Sequence, residues 1–284
     1  MKNWAKFSLT GIGLASAGIS LAFWSGARSW NAETARMVEK MKKSASESET
    51  KTVSFKDFDD LPAPVARYLR FALKDGQPIV RTARFKHTGE FNLNNKWTPF
   101  DSEQHFSSNP PAFVWDAEMK MNPLMNVRVR DAFTDGKGSG SAKIFGLFSM
   151  MNAHDDVKLD AGALQRYLAE AAWLPTALLP SENLHWTAID ENRASATLTD
   201  GKTTVSLEFR FNDAGELTEV FTPARFYGTG GEYKTFPWLC RLWNYEERGK
   251  MMIPIEGEAE WQMPEGAAPY FKGRIIEAEY DFIK

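Results

Sequence analysis

From Ile79 onward the chain alternates. Phe85, His87, Gly89, Phe91 and Leu93 fall on one face and Arg84, Lys86, Thr88, Glu90 and Asn92 on the other, the period of a strand with one buried side. Asn94-Asn95 signals a tight turn, and Trp97 to Ser107 returns. Phe113, Trp115, Ala117, Met119 and Met121 share the next apolar face, Val127, Val129 and Phe133 follow, and Asp135-Gly136-Lys137-Gly138 turns the chain into a strand over Ser141 to Met151. Later strands are expected at Leu184 to Ile189, Ala194 to Leu198, Thr203 to Phe211, Leu217 to Thr222, Leu239 to Glu246, Ile253 to Met263 and Arg274 to Phe282. Asp200-Gly201 is a hairpin turn, and Tyr227 to Pro237 reads as a Gly-rich loop. Strands joined by short turns are antiparallel neighbours.

One segment breaks the period. Leu159 to Ser181 places Leu164, Tyr167, Leu168, Ala171 and Ala172 on one side at helical spacing. Asp160 offers a cap for its start, and Pro175 stops it. Arg166, Ala169, Glu170 and Trp173 fall roughly opposite, so this helix has two flanks to bury, one on a sheet and one towards a cavity, a loop or a ligand. A second helix opens at Asp60 and Pro62, with Val65, Tyr68, Leu69 and Ala72 as its stripe. Strands, a helix, then strands predict a mainly β (α+β) fold. Its form is a curved antiparallel sheet or half-open barrel around a central helix, in a single β-rich domain over 53–284.

The N-terminal region follows a third pattern. Phe7 to Trp24 is uncharged, at the short end of the roughly 17–25 residues that span a bilayer. Trp4 and Trp24 are about 30 Å apart on a helix, and aromatic residues prefer the two membrane interfaces. Residues 1–27 therefore read as a transmembrane helix or signal anchor, with a cleaved signal peptide as the rival because Lys2 and Lys6 precede the run. Small residues four apart (Gly11 and Ala15, Gly13 and Ala17) would let a transmembrane helix partner approach closely. Residues 28–52 read as a helical stalk, Asn31 to Lys43, and a flexible linker, Ser44 to Lys51. The placement expected is single-pass in the inner membrane with the domain extracytoplasmic, although Arg28, Arg36, Lys40, Lys42 and Lys43 follow the span.

Composition adds exclusions. The 284 residues carry a formal net charge of −3, which gives no footprint for nucleic acid. Cys240 is alone, so no intrachain disulfide forms. There is no Walker loop, GxGxxG, GxSxG or HExxH, and His87, His105, His154 and His185 lack metal-ligand spacing; no cofactor, metal or reaction is assigned. His87 lies on an apolar strand face and reads as a core histidine. Two carboxylates are acid/base candidates: Asp131, which shares inward parity with Val129 and Phe133, and Glu170, one turn after Arg166. The competing reading makes them a structural pair that orients the helix. With 20 Phe, 10 Trp and 11 Met, the apolar faces supply a large core or an adaptable cavity. The expected ligand-lining residues are Trp115, Met119, Met121, Tyr167, Leu168, Trp173, Phe209 and Trp261.

The motifs RYLAEAAWLPTALLP, VRVRDAFTDGKGSG, TLTDGKTTVSLEFRF and IPIEGEAEW together resemble an uncharacterised bacterial domain-of-unknown-function family, often with an N-terminal membrane segment. The resemblance covers about Leu61 to Tyr280 and brings no catalytic residues with it. The layout also resembles, more distantly, periplasmic lipoprotein carriers of the LolA and LppX type, whose curved sheet and helical plug hold acyl chains. What this implies is a membrane-tethered binding domain for a lipid or other apolar small molecule. The alternatives are an enzyme using Glu170 or Asp131, and a non-catalytic envelope scaffold or assembly factor.

Overall fold

The computed structural model of the chain describes residues 4–45, 52–93, 95–122, 125–229 and 232–283, the side chains of 4–20, 22, 229 and 232 excepted. Three α-helices occur among them: α1 (Trp4–Ser44), α2 (Ala63–Ala72) and α3 (Val157–Glu170). The strands are β1 (Val80–Leu93), β2 (Lys96–Ser107), β3 (Ala112–Asn122), β4 (Met125–Thr134), β5 (Lys137–Ile144) and β6 (Phe148–Ala153) before α3. After it come β7 (Leu184–Ala188), β8 (Arg193–Asp200), β9 (Thr203–Phe211), β10 (Leu217–Thr229), β11 (Glu232–Arg248), β12 (Met251–Met263) and β13 (Gly266–Phe282).

All thirteen form one antiparallel sheet in the order β6-β5-β4-β3-β2-β1-β13-β12-β11-β10-β9-β8-β7. The chain walks from the centre to one edge, crosses through α3 to the other edge, and walks back until β13 pairs with β1, with Phe85 opposite Ala278. α3 touches β4 and β5 on one arm and β9 and β10 on the other. Strands lie about 4.8 Å apart, so in a flat sheet β5 and β9 would be about 43 Å apart, far beyond the width of one helix. The sheet must curl around α3. The result is the expected half-barrel.

Alternation sorts the two faces. Phe85 faces inward with its ring 5.7 Å from that of Phe106, Phe106 pairs with Phe113 across β2 and β3, and all three are buried. On α3 the stripe Leu164, Tyr167, Leu168, Ala171 and Ala172 is buried against the sheet, as is the α2 stripe Val65, Tyr68, Leu69 and Ala72. The outer face carries ion pairs such as Arg84 with Glu103 and Glu279, and Arg241 with Glu258 and Glu260.

Four local expectations change. Asp156, not Asp160, caps α3, accepting from the Lys158 amide; Asp160 is buried and used elsewhere. After α3 the chain tightens into 3-10 turns over Ala171–Trp173 and Pro175–Leu178. The single strand expected over Ser141 to Met151 is a hairpin, because Phe145 (φ 55°) and Gly146 (φ 71°) turn the chain back in the left-handed region. A Phe there is costly and gives no turn signal; its ring is held against Phe23, 4.4 Å between centroids. The loop expected over Tyr227 to Pro237 is mostly paired strand, with Tyr227 opposite Lys234.

α1 runs unbroken past the uncharged stretch. Its Gly26, Trp30, Val38 and Met41 are buried at steps of four, eight and three residues, all close to whole helical turns, and Val38 and Met41 pack on the outward-facing Ala112, Val114 and Ala132. The Trp30 indole donates to both Asp116 oxygens at 2.9 and 2.8 Å, and the Arg130 guanidinium stacks on it at 4.4 Å. The helix expected as a stalk thus lies along the outer face of β3 and β4. The expected span Phe7 to Trp24 is helical in backbone, but its side chains up to Ser20 fall outside the described residues, as does most of the linker. Among the described residues no helix is long and apolar enough to cross a membrane.

Candidate ligand cavity

α3 is fixed to both arms of the sheet. Asp160 accepts from the Gly138 amide at 2.8 Å and from Lys137 Nζ at 3.1 Å, both just after the β4–β5 turn. Gly138 is required there, because a Cβ would sit 2.6 Å from the Leu159 carbonyl oxygen. On the other arm Arg225 of β10 donates to the Gly162 carbonyl at 3.1 Å. With one flank held, the opposite flank faces an internal cavity of about 120 Å³, and Arg166, Ala169, Glu170 and Trp173 all line it. The facing walls include Trp115 of β3, Trp238 of β11 and Phe271 of β13.

The polar part of the cavity centres on Arg166. Its Nη1 donates to Asp131 at 2.9 Å and its Nε to Glu170 at 2.8 Å, while the guanidinium lies over Trp115 at 4.9 Å and Phe113 at 5.1 Å. The second Glu170 oxygen accepts from Gln104 Nε2 at 2.7 Å, so both Glu170 oxygens are taken. Burial works against the Arg166 charge, yet Glu170 and Asp131 hold it above its ordinary value. For Asp131 the balance tips the other way: burial pushes its carboxyl up, with Arg166 and Arg225 pulling down. Protein encloses Asp131, yet 39% of its side chain faces open space, so its desolvation is partial. Arg225, the second cation, lies over Trp238 at 4.5 Å and near Trp261 at 5.7 Å.

A family of unknown function, DUF6920, matches residues 59–280. The chain belongs to that family. Among solved structures this DUF6920 protein is similar to a putative outer membrane lipoprotein-sorting protein domain from Vibrio parahaemolyticus (7% identity, 71% of this chain and 86% of that one, TM-score 0.40). It is also similar to LolA superfamily protein NE2245 from Nitrosomonas europaea (7%, 82% and 96%, 0.40). A third is a β-barrel-like protein of the DUF1849 family from Brucella abortus (8%, 72% and 99%, 0.28). No curated protein matches the chain.

Within the DUF6920 domain the expected lining residues separate. Trp115, Trp173, Asp131 and Glu170 converge on the cavity. Tyr167 instead donates to the Ser107 carbonyl at 3.1 Å and lines a different cleft. Leu168 and Phe209 are closed core, Phe209 packing edge-on against Trp186. Met119 is core too, and Met121 packs at its edge. Trp261 stacks on Tyr270 beside Arg225. Sequence reasoning missed Arg225, Trp238, Tyr270 and Phe271, which reach the cavity only through the pairing of β10 to β13 with β1.

Two further groups are chemically quiet. Burial pushes the Cys240 thiol up to about 12, with Glu170 adding to the effect, so it is no nucleophile at neutral pH. Burial, then Arg166, lowers His87 to about 3, leaving it neutral. Among the described residues no group of three His, Cys, Asp or Glu side chains could hold a metal.

Proposed function

We propose that this DUF6920 protein is a membrane-tethered binding domain for an apolar molecule, received between α3 and the sheet with its polar end at the Asp131–Arg166 pair. One observation carries the reading. The second flank of α3 turns towards space walled by aromatic rings, where a closed core would have placed side chains. The volume bears on the ligand. Ligand pockets commonly measure about 300–1,000 Å³, and an engineered cavity of about 150 Å³ takes a benzene. At about 120 Å³ this one seats a ring or the end of a chain, so a whole acyl chain would need α3 to part from β4, breaking Arg166 from Asp131. The tether is the uncharged Phe7 to Trp24, placing the protein in the inner membrane with its domain extracytoplasmic.

Ala169 lies on the cavity flank of α3 and is buried, so Ala169→Met fills the space from the helix side with an adaptable side chain. An organic extract of the purified full chain is expected to contain an apolar molecule that an extract of folded Ala169→Met lacks. Identical extracts, with no uptake of a fluorescent fatty acid by either protein, would refute binding in this cavity. Acid/base chemistry is the second reading, and it rests on Asp131, whose carboxyl is raised and partly open to the cavity. Glu170, with both oxygens engaged, serves as a structural partner that orients α3.

A further inference from the structure

Ten large hydrophobic side chains are exposed among the described residues, and six of them gather in one corner: Leu21, Phe23 and Trp24 of α1, and Phe148, Met150 and Met151 of β6. Four of the six are well out in solvent, Leu21 by 70% and Trp24, Phe148 and Met150 by 62% each. Scattered apolar residues need no explanation, but a contiguous patch marks an interaction surface.

The two groups are locked together at the turn between β5 and β6. A Cβ on Gly26 would come 2.4 Å from Leu147 Cγ, and one on Gly146 would come 2.9 Å from the Gly26 carbonyl oxygen, so helix and turn cross with backbone close to backbone. Phe23 packs against Phe145 at the same level, the rings tilted at 33°. β6 is an edge strand of the sheet. Natural edges are usually blunted by charge or proline, and Phe148 to Ala153 has neither. Its one irregularity, between its pairings with Ala142 and Lys143, leaves Met150 unpaired and projecting. Cations stand behind the patch: Arg28 lies 5.3 Å over Trp24, and Lys143 5.5 Å over the buried Trp30. Asp155 and Asp156 follow the far end of β6, about 20 Å or more from Phe148 along an extended chain.

We propose that this corner is a second membrane contact, in which β6 and the Phe23–Trp24 turn of α1 lie in the interfacial layer of an anionic bilayer. The inference rests on the tether proposed above, because α1 is one helix and its uncharged stretch ends at Trp24. A bilayer spanned by that stretch has its surface at Trp24, and the docked β5–β6 turn must meet it there. Apolar side chains with cations behind them are what an anionic interface receives. The half-barrel is then held in one orientation, its β6 edge on the membrane.

The test places a nitrobenzoxadiazole label on Met150→Cys, and on Lys202→Cys as control in the β8–β9 turn, which meets the β4–β5 turn at the end of β5 away from the β5–β6 turn, both in the full chain with Cys240→Ser. Each protein is reconstituted into vesicles of phosphatidylcholine and phosphatidylglycerol with and without doxyl-labelled lipid. The label at position 150 is expected to shift its emission to the blue and to lose more than half of it to the doxyl quencher, while the label at position 202 keeps its emission. If the chain floats with the vesicles but the two labels behave alike, the corner is not a membrane contact and the tether stands. If the chain does not float, tether and corner both fail. Disulfide dimers of the unlabelled Met150→Cys protein, formed in vesicles without lipid quenching at that position, would assign the patch to a second copy and overturn the proposal.

Discussion

Arg166→Met isolates the one cation shared by two cavity carboxylates. Met keeps much of the side-chain bulk over Trp115 and Phe113 but removes both charge-assisted bonds, at 2.9 Å to Asp131 and 2.8 Å to Glu170. Removing one partner of a buried ionic network costs about 3–5 kcal/mol, because the remaining charge is left uncompensated. Two features moderate this. Glu170 keeps Gln104, and the 39% exposure of the Asp131 side chain lets its charge be screened, so a loss of about 3 kcal/mol, the lower end, is expected. The pH dependence gives a sharper criterion. Asp131 already has a folded value above the ordinary 3.8, so the folded state keeps a proton that the unfolded chain releases. The stability this contributes is fully present below 3.8 and is lost as pH rises through the raised value. Without Arg166 that value climbs further, and the loss extends towards neutrality. Urea unfolding followed by circular dichroism should therefore show a larger penalty at pH 7 than at pH 5, and Asp131→Asn added to Arg166→Met should recover part of it. A variant within 1 kcal/mol of wild type at pH 7, or a penalty that neither acid nor Asp131→Asn relieves, would refute the network as described.

Two other outcomes are expected. Trp30→Ala removes a buried ring bonded to Asp116 and stacked under Arg130; truncating a core Trp costs about 3–5 kcal/mol, and because α1 docks on the outside, hydrogen exchange should accelerate over Gly26–Ala45 while the amides of β1 and β13 stay protected. His87, lowered from 6.5 to about 3 by burial and Arg166, contributes stability that is present above 6.5 and lost as pH falls towards 3, by at most about 1.4 kcal/mol per pH unit; its imidazole resonances should show no titration step between pH 5 and 9, and a step near 6.5 would contradict its placement.

The cavity was partly legible in the sequence. The alternation that names Trp115 and Asp131 as inward is a local property, because successive strand residues point to opposite faces whatever the partner strand. The period that sets Arg166, Ala169, Glu170 and Trp173 opposite the buried stripe is local in the same way. Met119 and Phe209 share the inward strand parity yet fill closed core, as Leu168 does on the opposite stripe of α3. Parity says which side a residue faces; whether that side is filled depends on volumes brought by distant strands.

What the sequence by itself determined is therefore the set of elements, their inward faces, the two flanks of α3 and the inward carboxylate, since steric preference and solvent partition act within a few residues. The tertiary structure decided which elements meet. Pairing β13 with β1 brings Arg225, Trp238, Tyr270 and Phe271 round to face residues of β3 and β4. Val114 and Ala132 interrupt the polar outward parity of β3 and β4, and only the docked α1 gives that interruption a reason. Phe145 turns in a conformation its own side chain disfavours because Phe23, more than a hundred residues earlier, is there to receive its ring. Such contacts cost chain entropy to close and gain it back only in packed surface, so no short stretch of residues can announce them.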